Sequence, residues 1–408
     1  MSQPIQLLRW REQDHVQLGL SYDYHTGVLP VSELAEGVHD IGGLVAYCRD
    51  RNTEISTWAH DTLDGCTHRV LVEDKQLILP VELAELWASG VTYEISRDAR
   101  MDETTVSDNL YERVYHALRP ELFFKAPGDR IVGPHDFVGI RRDATWHVPE
   151  PELTVILDDR GQLFGLTVGN DMTARDLEAQ NPLYLPQAKM FHHSAAIGPT
   201  VVLADTIDPY HLTIHLMITR RGDLVVDQAT TTTRLRRSLA DLISYLEHEW
   251  PVAPWTGLMT GTGIVPPDYF ALEDGDEISI EIPGIGTLVN PVRRIDSDWA
   301  RVPGGRTRVL QINPQDTVAV ALGALQPGQE VMVGTSGVMV GNVIPFGHKL
   351  AIKPMNKGDW VIKYGERIGI ATEDINVGQH VHVHNVESYR GRGDLVKKGD
   401  QENGHTPA

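Results

Sequence analysis

Short hydrophobic stretches separated by Gly- and Pro-marked turns run through most of this chain, a pattern that predicts strands more than long helices. Three stretches stand out. VSELAEGVHDIGGLVAYCRDR, near the start, has helical periodicity, and HRVLVEDKQLILPVE reads as a short hairpin turning at Glu73–Gln76. Between Val91 and Val292 the one long helix candidate is TRLRRSLADLISYLEHE, residues 233–249. Residues 1–80 are therefore expected to form a small N-terminal α+β subdomain and 81–297 a β-rich body. DWARVPGGRTR joins Pro-Gly-Gly to basic residues and predicts a linker over 298–307. A second β-rich, glycine-dense segment covers 308–390, and the polar, Gly-rich residues 391–408 predict a flexible tail.

Composition narrows the function classes. The chain has 408 residues, with 56 acidic against 36 basic side chains and a formal net charge of −20. Nucleic-acid binding needs a Lys/Arg surplus to displace counterions from phosphates, and an anionic membrane surface attracts the same surplus, so neither partner is expected. Two cysteines, Cys48 and Cys66, are too few for a disulfide framework and do not have CxxC spacing. The start lacks a basic n-region with an apolar h-region, and no apolar run approaches the roughly 18 residues of a membrane helix. A soluble cytoplasmic protein is the expectation.

The most informative stretch is WHVPEPELTVILDDRGQLFGLTVGNDMTARD, residues 146–176. Leu153–Leu157 and Leu163–Val168 read as two strands about a turn at Asp158–Gly161. Glu150 and Glu152 stand two residues apart and so share a strand face. Pairing about the turn brings Glu150 opposite roughly Asn170, with Asp171 beside the glutamates. Three converging carboxylates repel one another unless a cation sits among them, and an all-oxygen donor set suits Mg²⁺, Mn²⁺ or Ca²⁺. The pattern alone fits a solvated acidic strand equally well.

PEPELTVIL followed by VGNDMTARD resembles the metal signature of the fumarylacetoacetate hydrolase superfamily. FFKAPGDRIVGP (123–134), QAKMFHHSAAIGP (187–199), LMTGTGIVPP (258–267) and DGDEISIEIPGIGTLVNPV (274–292) follow the same family order, so the resemblance covers about 90–295. It implies a mixed α+β, β-rich fold of the family's β-roll type and a homodimer or higher homo-oligomer. It also implies Mg²⁺ or a similar ion on Glu150, Glu152 and Asp171. By position, Lys189 matches the lysine beside the substrate carbonyl and Thr262 the threonine that helps hold the substrate carboxylate. Lys125, in the FFKAPGDRIVGP motif, joins the expected substrate contacts.

Members that cleave C–C bonds carry N-Y-x-x-H-x-x-E, whose His/Glu pair activates water. The corresponding VTYEISRDARMDE (91–103) has Tyr93 and Glu103 and no histidine, and His192 and His193 belong to a different motif. TYExSRDAR, with NPLYLPQAK and TGTGIVPP, instead resembles the branch containing 2-keto-3-deoxy-D-arabinonate dehydratase. That resemblance implies chelation of a small 2-oxo acid by the ion, acidification of its C3 proton and acid-assisted loss of the C4 hydroxyl. A pentonate would then give 2,5-dioxopentanoate. Lys189 is expected to stabilise the enolate or transfer a proton, Glu103 to do acid/base work, and Arg97 and Arg100 to hold the substrate. The alternatives are hydrolysis of a 2,4-dioxo acid and an accessory role beside a separate sugar-acid dehydratase subunit.

IPFGHKLAIKPMNKGDWVIKYGERIGIATEDINVGQHVHVHN, with the preceding INPQDTVAVALGALQPGQEV, resembles the N-terminal SAF-type domain of altronate and galactarate dehydratases, a β-clip-like module. His380, His382 and His384 alternate with Val381 and Val383, which predicts imidazoles on one strand face and valines on the other. Such a row could hold a second metal ion or simply face solvent. His348 and Lys349, with Lys363 and Tyr364, form either an anion site or a solvated rim.

Overall fold

The computed structural model describes residues 3–13, 15–93, 114–249, 251–267, 269–295, 309–311, 313–321, 325–333, 336–345 and 347–388. The chain divides into two compact units, Met1–Ile295 and Asp296–Ala408. The expected linker and tail lie outside the described residues.

The first unit is built on a nine-stranded sheet. In spatial order its strands are Leu29–Pro30, His15–Ser21, Gln6–Glu12, Ala195–Leu203, Leu163–Asp171, Pro151–Leu157, Thr256–Thr262, Glu85–Gly90 and Glu121–Pro127. A five-stranded sheet, containing Thr213–Arg220, Glu277–Ile282 and Gly286–Arg294, packs on one face of it. Leu153, Val155, Leu166 and Val168 meet Ile214, Leu216, Ile218, Ile278 and Ile280 there, all of them buried. The opposite face of the large sheet carries Leu7, Leu20, Ile156, Ile197 and Met259 and is covered by Ile41, Leu44 and Val45 of the helix Ile41–Asp50. Strands of the smaller sheet alternate buried with more exposed positions, as in Glu277–Ile282. The Pro151–Leu157 strand lies inside the larger one, covered on both faces, and is buried along its whole length.

Residues expected to form an N-terminal subdomain contribute three strands to this same sheet, joined to the body where Gln6 pairs with Val202 and Leu7 with Val201. The hairpin expected around Glu73–Gln76 does not form. Its turn is present, as a 3₁₀ segment Asp74–Gln76 with a capping box from Glu73, but Val70 bridges to Val28 and Leu77 to Trp10. Non-local pairing thus replaced the local one. The long helix expected over 233–249 shortens to Leu239–Glu247, because the Ser238 side chain accepts from Asp241 N and sets the start there. Asp40 likewise starts the helix Ile41–Asp50 by accepting from Gly43 N at 2.7 Å.

In the second unit, Val309–Leu310, Val318–Ala321, Lys349–Ala351 and His380–Val381 form a four-stranded sheet. A hairpin of Glu330–Val333 and Ser336–Met339 and a three-stranded sheet of Trp360–Lys363, Glu366–Ala371 and Val386–Ser388 are its other sheets among the described residues. The predicted histidine-bearing strand stops after Val381. His382–Asn385 is a turn, stapled by Asn385, whose side chain accepts from His382 N and donates to His380 O. Val383 is consequently 80% exposed instead of facing the core.

Candidate metal and active site

The Pro151–Leu157 and Leu163–Asp171 strands pair antiparallel with Glu152 opposite Gly169, and Asp171 N donates to Glu150 O at 2.9 Å. The turn that fixes this register uses Asp158 Oδ1 as acceptor for Arg160 N and Gln162 N. Glu150, Glu152 and Asp171 are buried, and one carboxylate oxygen from each lies within 4.8 Å of the others. This is the group of three acidic, His or Cys side chains with metal-ligand spacing among the described residues. Burial, then the neighbouring Asp171 and Glu150 charges, holds the Glu152 carboxyl well above the usual carboxylate range.

Cations surround this acidic cluster. Lys189 Nζ donates to Glu150 Oε2 at 2.6 Å, to Thr173 Oγ1 at 2.8 Å and to Asp171 Oδ2 at 2.9 Å. Lys125 pairs with Asp171 Oδ1 and donates to Lys189 O at 2.6 Å and Met172 O at 2.9 Å. Burial pulls the Lys125 ammonium below the ordinary lysine value, against the pull of Asp171. With three acceptors around Nζ, the protonated form is the one whose donors are all used. Arg175 reaches Glu150 Oε1 and Glu178 Oε2, both at 3.1 Å.

The structure therefore brings Glu150, Glu152, Asp171 and Lys189 together. Thr262 stands in register with Glu152, and its Oγ1 lies 3.2 Å from both the N and O of Ile264. Lys125, expected among the substrate contacts, has instead the partners that fix Asp171 and the Lys189 backbone, and its side chain is fully buried. Glu103, Arg97 and Arg100 lie outside the described residues. His193 Nδ1 donates to the Phe137 carbonyl at 2.9 Å, and its ring lies 3.9 Å from that of His192, centroid to centroid.

Besides Thr173, two participants escaped the sequence reading. Arg175 sits inside the NDMTARD motif, and the motif was the only signal for it. Gly261 adopts φ +94° and directs its N–H to Glu152 Oε2 at 2.5 Å. A Cβ on Gly261 would lie 1.9 Å from Thr92 Oγ1. Gly261→Ala is expected to destabilise the fold by roughly 1–3 kcal/mol through left-handed strain and that collision. A urea unfolding midpoint equal to wild type would refute this.

In the second unit His348 Nδ1 and His380 Nε2 are 2.9 Å apart, and the His382 ring stacks on His348 at 4.5 Å. His384 lies 5.2 Å from His380, centroid to centroid. Burial first, then the neighbouring imidazoles and Lys349, lowers His380 to about 4. The four imidazoles gather as a cluster, but no three of their nitrogens share the mutual spacing that the acidic cluster has. The second metal ion expected there gains no support from this arrangement.

A family model described as the fumarylacetoacetate hydrolase C-terminal region matches residues 102–293, and the altronate/galactarate dehydratase SAF domain matches residues 307–389. A protein of Haloferax volcanii named as a probable 2-keto-3-deoxyxylonate dehydratase is 45% identical over 223 residues, 54% of this chain and 76% of that protein. The 2-dehydro-3-deoxy-D-arabinonate dehydratase of Saccharolobus solfataricus is 41% identical over 227 residues, 55% of this chain and 76% of its own length. A solved structure of 2-keto-3-deoxy-D-arabinonate dehydratase, complexed with magnesium and 2,5-dioxopentanoate, matches with a TM-score of 0.60 at 33% identity. It covers 71% of this chain and 99% of that one.

Proposed function

Because this chain belongs to the fumarylacetoacetate hydrolase superfamily, alongside its 2-keto-3-deoxy sugar-acid dehydratases, we propose that it is a hydro-lyase that dehydrates a 2-oxo-3-deoxy aldonate. The pentonate gives 2,5-dioxopentanoate and water. The observation that carries this is the buried cluster of Glu150, Glu152 and Asp171, with Lys189 between two of its members.

The donor set fits a hard divalent cation. All three groups are carboxylates, and burial leaves Glu152 short of compensating positive charge. Mg²⁺ on these three residues would supply Lewis acidity to a bound 2-oxo acid. The chain's own side chains do the rest. Thr173 and the two carboxylates aim the Lys189 ammonium, which can stabilise negative charge developing on the substrate oxygen or move a proton. Lys125 and Arg175 hold Asp171 and Glu150 in place. Thr262, next to Glu152, is assigned to the substrate carboxylate, and Arg97 and Arg100 to the remaining substrate oxygens. Glu103 is assigned the acid/base role in removing the C3 proton and the C4 hydroxyl. Hydrolysis would need an activated water, and the segment that carries the hydrolytic histidine in C–C-cleaving members has none here.

The SAF-type unit supports the same area of metabolism, since its family description is of altronate and galactarate dehydratases. A homo-oligomer, with a separate sugar-acid dehydratase as the partner served by the second unit, completes the proposal. No described helix is long and apolar enough to cross a membrane. The deciding assay supplies Mg²⁺-replete protein with a 2-oxo-3-deoxy-pentonate and, separately, a 2,4-dioxo acid. The proposal expects 2,5-dioxopentanoate from the first. Pyruvate from the second, with no product from the first, would replace the lyase by a hydrolase.

A further inference from the structure

Four side-chain hydroxyls among the described residues of the first unit are buried with nothing to bond, and two of them, on Tyr93 and Thr230, belong to side chains that meet at one loop. Tyr93 is 1% exposed and Thr230 is 6% exposed, and neither hydroxyl has a hydrogen-bond partner among the described residues. Buried polar atoms in folded proteins are nearly always paired, so two orphans on side chains that both pack against Gly263 call for a physical reason.

They are neighbours across Gly263. A Cβ at Gly263 would lie 2.7 Å from Tyr93 Cδ1 and 2.7 Å from Thr230 Oγ1, so only glycine lets the ring and the threonine close in on this loop. The loop is the one that serves the acidic cluster, with Thr262 in register with Glu152 and Gly261 N donating to Glu152 Oε2. The Tyr93 segment is tied to it from the other side, where Thr92 Oγ1 donates to Thr260 O at 2.7 Å. Burial first, and then the Glu152 charge, raises the phenol's pKa, so Tyr93 remains a neutral donor.

We propose that Tyr93 Oη and Thr230 Oγ1 form a hydroxyl-recognition subsite beside the acidic cluster, binding an alcohol group on the polyol end of the substrate. The ligand class follows from the groups present. A tyrosine and a threonine hydroxyl both donate and accept, as an alcohol does. A site that hydrogen-bonds a substrate hydroxyl rejects an analogue lacking it far more strongly than an apolar pocket rejects a misfit. The substrate assignment rests on the dehydratase reading, whereas the orphaned pair does not.

The test compares wild type with Tyr93→Phe and Thr230→Val in the full chain, loaded with Mg²⁺. Removing an orphaned hydroxyl should leave the thermal midpoint unchanged or raise it, and Mg²⁺ affinity by calorimetry should not change. The kcat/KM for a 2-oxo-3-deoxy-pentonate should fall about 10- to 100-fold in each variant. Calorimetric binding of 2-oxopentanoate, which lacks the hydroxyls, should be the same in all three proteins. Unchanged kcat/KM in both variants would overturn the subsite, as would a loss that tracks lowered thermal stability. If wild type turns over no 2-oxo-3-deoxy acid, the dehydratase reading fails. The subsite is then judged by binding alone: Tyr93→Phe must weaken D-arabinonate binding relative to pentanoate, and an equal preference in both proteins overturns it.

Discussion

Replacing Lys189 with alanine is expected to lower turnover by about 10³-fold or more, the range lost when a group acting only on developing charge is removed. The ammonium contacts two of the three cluster carboxylates and Thr173, and Lys125 fixes its backbone carbonyl from behind. Taking a cation from buried carboxylates also destabilises the fold, by about 3–5 kcal/mol when a paired charge is left alone. The two effects separate experimentally. Saturating Mg²⁺ provides positive charge to the same oxygens and should restore the thermal midpoint of Lys189→Ala without restoring turnover. Recovery of full turnover with Mg²⁺ would remove Lys189 from the mechanism.

Chelator-treated protein is expected to lose stability as pH rises. The Glu152 carboxyl is raised well above its ordinary value in the folded chain, so the folded state keeps this proton after the unfolded chain has released it. Its contribution is fully present below the unfolded pKa and is lost progressively as pH climbs through the folded one. Glu152→Gln should flatten that decline, since a neutral amide has no proton to lose. Mg²⁺ cancels the decline, because the ion binds the ionised carboxylate, so its affinity should grow over the same pH range. At about a hundred times its Kd, Mg²⁺ should add ~2.7 kcal/mol, visible as several degrees in the thermal midpoint. Identical pH profiles for wild type and Glu152→Gln, with and without Mg²⁺, would refute this.

The metal face was legible in the sequence because strand geometry is strictly two-residue periodic. Glu150 and Glu152 share a face for that reason, and the turn at Asp158–Gly161 carried Asp171 to them with an error of one residue, Asn170 pairing with Pro151. The charge compensation around them was not legible. Lys125 meets Asp171 and the carbonyls of Met172 and Lys189 only after the strands are assembled, and no local pattern encodes that. Nothing in LMTGTGIVPP singles out Gly261, although its left-handed conformation aims a backbone donor at Glu152. Local signals overreached where tertiary partners prevailed. The arms flanking Glu73–Gln76 went to Val28 and Trp10, and the histidine row turned at His382 once Asn385 closed on His380 and His382. The orphaned hydroxyls of Tyr93 and Thr230 are invisible to sequence reasoning, since being unpaired is a property of the packed structure.

The most direct test of the central claim is to strip the protein with EDTA and follow 2,5-dioxopentanoate formation from 2-oxo-3-deoxy-pentonates, with and without added Mg²⁺. Wild type should be inactive when stripped and regain turnover on Mg²⁺ addition, while Asp171→Asn stays near the stripped level at the same Mg²⁺ concentration. Undiminished turnover after complete metal removal, or wild-type activity in Asp171→Asn, would contradict a mechanism centred on these three carboxylates.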